Sequence, residues 1–340
     1  MERPAEHPAK VGKYEVEQFL GGGMSRVYRA KDSLLGREVA IKILSGSCDE
    51  DARARFLQEA RMACTAKHEN VIAVYDFGED QGQPYMVMEL LEGESLRRVL
   101  DRKTAGDFKW KIRVALQVAR AIEYIHSRKI VHRDIKPENV YIDGHGHATL
   151  MDFGIAKTDG ISLTKAGFTL GTPFYMAPEQ VVGGPVTPQA DVYAFGVVLY
   201  ELLTGIKPIQ GDNFEQVFER ILKQPLPQEP LLDAKVPPLV IDMIARCTAK
   251  PPAARPQGLG AICGQLETLL DPAQHSVRRS PEMPLVTKRA EPPPQAQEND
   301  LPGMLKILPA PFRTQVGLGV LSALVVLALA LAVLRFTHLL

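Results

Sequence analysis

Cysteine is scarce in this 340-residue sequence, and its few copies lie far apart. The four cysteines, Cys48, Cys64, Cys247 and Cys263, include no C-x-x-C pair. Cysteines paired at short spacing are typical of zinc sites, and dense sets in small secreted chains form disulfide frameworks. The sequence therefore disfavours both a zinc site and a disulfide scaffold, and we expect a reducing compartment.

Net charge is also missing, because 40 Lys and Arg residues balance 40 Asp and Glu residues. No overall basic field is present to attract nucleic acid, so a nucleic-acid partner is not expected. The first ten residues contain no apolar run of the kind found in a signal peptide. We expect residues 1–13 to form a short disordered lead-in.

Long apolar runs are rare, and the clearest one, residues 316–334, carries no charge. At about 1.5 Å per residue this run spans roughly 28 Å as a helix, close to the hydrocarbon thickness of a bilayer. A buried core helix is the alternative, but such a helix usually has a polar face, which is missing here. The flanking Arg313 and Arg335 do not decide the orientation. We therefore predict a single transmembrane helix over residues 313–337.

The stretch before this helix has a different composition. Residues 271–312 contain three consecutive prolines at 292–294, scattered charges and few aromatic residues. Such a segment cannot bury enough apolar surface to form a core. It is predicted to be a flexible, Pro-rich linker of about forty residues.

Two short polar motifs indicate the chemistry of the chain. Residues 132–139 read His-Arg-Asp-Ile-Lys-Pro-Glu-Asn, and Asp152-Phe153-Gly154 begins thirteen residues after Asn139. One carboxylate can accept the proton of an attacking hydroxyl, while the other, with the amide, can hold Mg²⁺ against nucleotide phosphates. A charged surface loop is the alternative. The occurrence of both motifs at this spacing favours phosphoryl transfer.

At these residues the sequence resembles the eukaryotic-type (Hanks-type) protein kinases. Lys136, two residues after Asp134, is typical of the Ser/Thr members. The sequences Gly-Gly-Met-Ser and Met-Ala-Pro-Glu-Gln are most similar to those of bacterial membrane-anchored kinases. The resemblance implies an α+β, two-lobed kinase domain over residues 14–270. Its small β-rich lobe with one main helix would cover 14–89, its hinge 89–93, and its larger helical lobe 94–270.

The resemblance also implies an ATP site between the lobes. Lys42, in the apolar strand Val39-Ala40-Ile41-Lys42, matches the family lysine that contacts the α- and β-phosphates, and Glu59 on the next helix is its expected partner. The Gly-rich turn is one residue shorter than the family form, and Ser25 occupies its third glycine position. The expected ATP-binding residues are Leu20, Gly21, Gly22, Gly23, Met24, Ser25, Val27, Ala40, Lys42, Met88, Glu89 and Leu91.

The resemblance implies a catalytic role for each residue that matches a family motif. Asp134 is the expected base, Lys136 would contact the γ-phosphate, and Asn139 would bind metal and hold Asp134 in place. Asn139 and Asp152 are the expected ligands of Mg²⁺, with Mn²⁺ as an alternative ion. Together with Lys42 and Glu59, these residues form the predicted catalytic set.

The polar segment 157–172 has no periodicity and is predicted to be a mobile activation loop. We expect autophosphorylation at Thr164, or secondly at Thr169, with Arg133 as a cation that could receive the phosphate.

Further residues have structural roles by resemblance. Thr172 would reach toward the catalytic Asp and Lys, Glu179 would pair with the distant Arg255, and Asp191 would anchor the catalytic loop.

The sequence therefore predicts a membrane-anchored protein Ser/Thr kinase with ATP and Mg²⁺ as cofactors and protein substrates as partners. Since ATP is cytosolic, the kinase domain should face the cytoplasm from a single-pass anchor in the cell membrane. The resemblance also suggests a homodimer. A pseudokinase scaffold at the membrane is the alternative, supported by the short Gly-rich turn. A small-molecule kinase is disfavoured by the Ala177-Pro178-Glu179 segment.

Overall fold

The computed structural model of the chain describes residues 8–22, 25–44, 50–152 and 173–271, without the side chains at positions 51, 52, 55 and 59. These residues all belong to one compact unit, Met1–Ser280. A second unit, Pro281–Leu340, lies outside the described residues.

The N-terminal part of this unit forms an antiparallel sheet of six strands in the order β1-β2-β3-β4-β6-β5. Alternation sets its buried face: in β3, Tyr28, Ala30 and Asp32 are buried while the residues between them are more exposed. The strands are β1 (Lys10–Val11), β2 (Tyr14–Gly22), β3 (Ser25–Asp32), β4 (Glu38–Leu44), β5 (Val74–Asp80) and β6 (Gln83–Met88).

One helix, α1 (Glu50–Thr65), accompanies this sheet. Phe56 and Ala60, one helical turn apart, lie on its buried side and form a cluster with Met86 of β6. This sheet and helix match the small β-rich lobe that the sequence predicts.

The rest of the unit is mainly helical, with a three-stranded sheet of β7 (Glu94–Ser95), β8 (Val140–Ile142) and β9 (Ala148–Leu150). The helices are α2 (Leu96–Asp101), α3 (Phe108–Ser127), α4 (Pro178–Val181), α5 (Pro188–Thr204), α6 (Phe214–Lys223), α7 (Glu229–Asp233), α8 (Pro238–Cys247) and α9 (Gly260–Leu270). The two-lobed α+β kinase fold is thus confirmed for the described residues.

Helix α5 is the centre of the large lobe. Every residue from 190 to 203 is buried, as expected for a helix that is apolar on nearly all sides. A Cβ at Gly196 would lie 2.7 Å from Cys247 Cβ, so a glycine is needed where α8 crosses α5. The helix ends at Gly205, whose φ of 71° is the left-handed cap that glycine adopts without strain.

One region differs from the sequence prediction, and two predicted segments lie outside the described residues. Residues 10 and 11, inside the stretch predicted to be disordered, pair with β2, and Val11 is only 4% exposed. A two-residue strand is too short to produce a periodic signal, which is why the sequence does not show it.

No helix among the described residues is long and apolar enough to cross a membrane. The predicted helix 313–337 and the linker after Asp271 lie outside them.

Candidate active site

The predicted base, Asp134, is held by two neighbours from the same short loop. Its Oδ2 lies 2.9 Å from Lys136 Nζ and accepts a 3.1 Å hydrogen bond from Asn139 Nδ2. Asn139 Nδ2 also donates to the main-chain oxygen of Asp134 at 2.8 Å. The side chains of Asp134 and Lys136 are 16% and 17% exposed, so the carboxylate is mostly enclosed but can still be reached. The structure therefore brings together three of the predicted catalytic residues.

The main chain of this loop is fixed by Asp191, which projects from the buried helix α5. Its carboxylate accepts hydrogen bonds from the amides of His132 at 2.7 Å and Arg133 at 2.8 Å. A third contact, at 2.8 Å, joins it to His126 Nε2 at the end of α3. Arg133 has a φ of +67°, an uncommon conformation for a residue with a side chain. The three contacts of Asp191 hold the loop in this conformation.

His132 has a structural position rather than a catalytic one. Its ring is fully buried, Nδ1 accepts from the amide of Asp134 at 3.3 Å, and Nε2 donates to the Met151 oxygen at 2.9 Å. Burial lowers the pKa of His132, so the ring stays neutral. Because both ring nitrogens are used inside the protein, His132 links the two motifs instead of acting as the base.

A main-chain hydrogen bond brings the two predicted metal ligands, Asn139 and Asp152, close together. The amide of Met151 donates to the oxygen of Asn139 at 2.9 Å, which places Asp152 beside Asn139. Since Nδ2 of Asn139 is bonded to Asp134, its Oδ1 is the atom that remains for a metal ion. A carboxylate and an amide oxygen are hard ligands, which suits Mg²⁺ shared with nucleotide phosphates. The residues present therefore fit the expected ion.

Asp152 also connects the two lobes. Its Oδ1 lies 2.8 Å from Nζ of Lys42, which projects from β4 of the small lobe. Lys42 thus occupies the position expected of the phosphate-contacting lysine. Its predicted partner Glu59 belongs to α1, but the side chain of Glu59 lies outside the described residues, so this ion pair stays a prediction.

The predicted adenine site is lined by one apolar cluster. Ala40 and Met88 are buried in it and are neighbours across β4 and β6, with Val27, Leu91 and Met151 packed against them. Val27 comes from the Gly-rich hairpin, Leu91 from the hinge, and Met151 from the residues between β9 and Asp152, so the cluster reaches both lobes. The amide of Glu89 donates to the Ala73 oxygen at 2.9 Å, which fixes the start of the hinge.

The described residues on either side of the shortened Gly-rich turn pair as antiparallel strands. Gly21 pairs with Val27 and Gly22 with Arg26, and the register shifts between Phe19 and Gly21, next to the exposed Leu20. Gly22 has a φ of +147°, and a Cβ there would lie 2.0 Å from the Ser25 oxygen. This position therefore requires glycine. Gly23 and Met24 lie outside the described residues.

The predicted pair of Glu179 and Arg255 is buried and complete. Arg255 Nη1 and Nη2 donate to the two Glu179 carboxylate oxygens at 2.7 and 2.8 Å. The remaining N–H groups reach the oxygens of Ala249, Lys250 and Gln189 at 2.7 to 2.9 Å. Arg255 is only 2% exposed, and all five of its donors are used.

Sequence reasoning missed a second buried ion pair. Glu201 of α5 is 1% exposed, and its Oε1 accepts from Nη1 and Nη2 of Arg97 at 2.8 Å each. Its other oxygen accepts from the hydroxyl of Tyr175, whose pKa is raised by burial and by Glu201. The sequence signal that could have indicated this pair is Glu201 itself, an acid inside the apolar run of α5. The triad joins α2, α5 and the segment that begins at Pro173.

Several predicted residues cannot be placed. Phe153, Gly154 and the candidate phosphosites Thr164 and Thr169 lie between 153 and 172, outside the described residues, as does Thr172. Just beyond this gap, Gln180 donates to the Arg133 oxygen at 3.0 Å and ties the segment to the catalytic loop.

Comparison with known proteins gives one consistent result. The family model described as the protein kinase domain matches residues 14–265. The chain is 39% identical over 258 residues to the DNA damage-responsive serine/threonine-protein kinase RqkA of Deinococcus radiodurans, covering 74% of this chain and 39% of that protein. It is 36% identical over 264 residues to the serine/threonine-protein kinase PrkC of Bacillus subtilis, covering 76% and 41%.

Two further similarities agree with these. PknA of Mycobacterium tuberculosis, a serine/threonine-protein kinase, is 38% identical over 253 residues, covering 72% of this chain and 58% of PknA. The crystal structure of Rad53 1-466 in complex with AMP-PNP has a TM-score of 0.61 at 26% identity, covering 72% of this chain and 62% of that one. The chain spans about 40 to 60% of the length of these bacterial relatives. It belongs to the protein kinase family, and its relatives are bacterial Hanks-type Ser/Thr kinases.

Proposed function

We propose that the chain is an active, membrane-anchored protein kinase that transfers the γ-phosphate of ATP to Ser and Thr hydroxyls of proteins. The observation that carries this proposal is the position of the Asp134 carboxylate, held between Lys136 and Asn139 and next to Asp152. The names of the relatives as serine/threonine-protein kinases, and the AMP-PNP bound to Rad53, support a Ser/Thr kinase that uses an adenine nucleotide.

In this proposal each residue has its own step. Asp134 receives the proton of the substrate hydroxyl, and Asn139 keeps its carboxylate oriented through two hydrogen bonds. Lys136, 2.9 Å from that carboxylate, offsets the charge that develops on the transferred group. Asn139 Oδ1 and Asp152 would hold Mg²⁺, and Lys42 would position the α- and β-phosphates. When bound, ATP would supply the phosphoryl group and Mg²⁺ would neutralise its charge.

The pseudokinase alternative has little support. Asp134, Lys136, Asn139, Asp152 and Lys42 are all present, and direct contacts join Lys136 and Asn139 to Asp134 and Lys42 to Asp152. The short Gly-rich turn, which favoured that alternative, forms an ordered hairpin on either side of its tip.

The full chain incubated with γ-labelled ATP and Mg²⁺ should label a generic basic protein on Ser or Thr. It should also label itself at Thr164, or secondly at Thr169, because both lie in the predicted activation loop between Asp152-Phe153-Gly154 and Ala177-Pro178-Glu179. Tandem mass spectrometry locates the sites. A chain carrying Asp134→Asn is the control and should stay unlabelled. Phosphate that is absent from residues 162–172 would remove the autophosphorylation part of the proposal while leaving the transferase part.

Membrane attachment is expected to depend on residues 313–337, which would also place the kinase domain in the cytoplasm. The full chain should sediment with membranes and resist alkaline extraction, because about 20 apolar residues span the hydrocarbon core. A chain ending at residue 312 should remain in the supernatant with its kinase activity retained. Immunoblotting of the two fractions checks this, and a full chain found in the supernatant would refute the anchor.

A further inference from the structure

A cavity lies in the large lobe. It has a volume of about 210 Å³ and is bounded by the end of α6, by α7, by α8 and by the residues that follow α8. Most of its wall is apolar, and its largest apolar side chains are Leu226, Leu231, Ile241 and Ile244. We call it the α6–α8 pocket. None of its described lining residues is an Asp or a Glu, and two of them are lysines.

One of these lysines, Lys250, is a cation without a carboxylate partner in the described part of the chain. Its Nζ lies 3.4 Å from the Tyr193 hydroxyl and 5.5 Å from the centroid of that ring. The nearby Glu179 is already bound through both oxygens by Arg255. Burial, together with the Arg255 guanidinium, lowers the pKa of Lys250 to about 8. At neutral pH Lys250 is still protonated, and no Asp or Glu among the described lining residues offsets the two lysines, so the charged side chains that line the pocket are all positive.

The other lysine provides an internal contrast. Lys223 lies on the exposed rim and pairs with Glu219 one helical turn before it, at 3.1 Å. An exposed pair of this kind is screened by solvent and contributes little to ligand binding. Lys250 is therefore the lysine whose charge would favour binding of an anion.

We propose that the α6–α8 pocket binds a small organic acid, with its carboxylate at Lys250 and its apolar part against Leu226, Leu231 and Ile244. The apolar wall favours a hydrocarbon body, and the half-buried ammonium requires a negative head group. The cavity is smaller than the roughly 300–1,000 Å³ typical of drug-sized ligands. Its occupant is accordingly one ring or a short chain with a single carboxylate.

Such a ligand would act on the kinase fold through the main chain. The oxygens of Ala249 and Lys250 are two of the groups that hold Arg255, the partner of Glu179. A ligand at Lys250 would therefore stabilise the segment that fixes Arg255. This inference does not require the proposed catalytic activity.

The test uses the full chain and three matched probes, 3-phenylpropanoate, 3-phenylpropanol and 3-phenylpropylamine, titrated calorimetrically up to roughly 10 mM, which detects weak binding. The acid should bind at least about 10-fold more tightly than the alcohol, because one charge-assisted contact contributes roughly 10-fold or more. The amine should bind least.

Three variants make the result specific. Lys250→Met should weaken acid binding about 10-fold or more and leave alcohol binding close to unchanged, whereas Lys223→Met should leave both close to unchanged. Ala245→Phe, which fills the pocket from an exposed position on α8, should remove binding of both acid and alcohol. Ala245→Phe keeps the test valid if Lys250→Met fails to fold.

Four outcomes would overturn the inference. They are no binding of the acid, equal binding of all three probes, equal losses in the two lysine variants, and unchanged acid binding in Ala245→Phe. Concentration-dependent self-association that is abolished by Ala245→Phe, without acid binding, would instead show that the pocket is a protein interface.

Discussion

Replacing Asp134 with Asn is expected to lower phosphoryl transfer to a protein substrate by roughly 10²- to 10⁴-fold. An amide cannot accept the proton of the attacking hydroxyl, although it preserves the shape of the side chain. Nucleotide affinity should stay close to that of the unchanged protein, because Lys42 and Asp152 are untouched and lie 2.8 Å apart as before. Initial rates with γ-labelled ATP measure the first effect, and calorimetric titration with ATP and Mg²⁺ measures the second.

Asp143 offers a matched control for this substitution. It lies between the two motifs, and its Oδ1 accepts from the amides of His145 and His147 at 2.8 Å each. An Asn side chain can accept the same bonds, so Asp143→Asn should leave the rate nearly unchanged. If Asp134→Asn also retained full turnover, the assignment of the base would fail. No transfer by the unchanged protein would instead favour the scaffold alternative.

Replacing Arg255 with Met is expected to reduce the free energy of unfolding by roughly 3–5 kcal/mol. The substitution leaves the Glu179 carboxylate buried without its partner and removes the donors to three main-chain oxygens. Urea denaturation followed by circular dichroism measures the change. Activity should fall with it, because Glu179 lies in α4, directly after the segment that contains Tyr175.

Arg246 is the control for this second prediction. It forms an ion pair with Asp242 at 2.8 Å, but both side chains are largely exposed. Arg246→Met should change the free energy of unfolding by less than about 1 kcal/mol, because solvent screens the pair. Similar losses in the two variants would show that burial does not set the contribution of the Arg255 pair.

The sequence predicts the local part of the site well, because the residues that surround Asp134 are close along the chain. Lys136 and Asn139 follow it by two and five positions, so one loop brings all three together. The link from Glu179 to Arg255 could be predicted through family resemblance alone, since 76 residues separate them. Spacing carries no information about a contact at that distance.

Other features could not be predicted, for reasons that differ. The contact between Arg97 and Glu201 joins residues 104 positions apart, and neither belongs to a motif that the sequence analysis used. The placement of β6 between β4 and β5 depends on tertiary packing, which strand propensity does not determine. The pairing of residues 10 and 11 with β2 likewise depends on burial of Val11 by the rest of the sheet.

The attachment of the catalytic loop to α5 has a consequence for how activity is lost on heating or in denaturant. Asp191 lies within the most deeply buried helix of the large lobe, and its carboxylate binds two successive loop amides directly. Because these hydrogen bonds join the loop directly to the helix, we expect the loop amides to open together with it. Its protection from solvent exchange therefore follows the global opening of the lobe, as expected for a single cooperative unit.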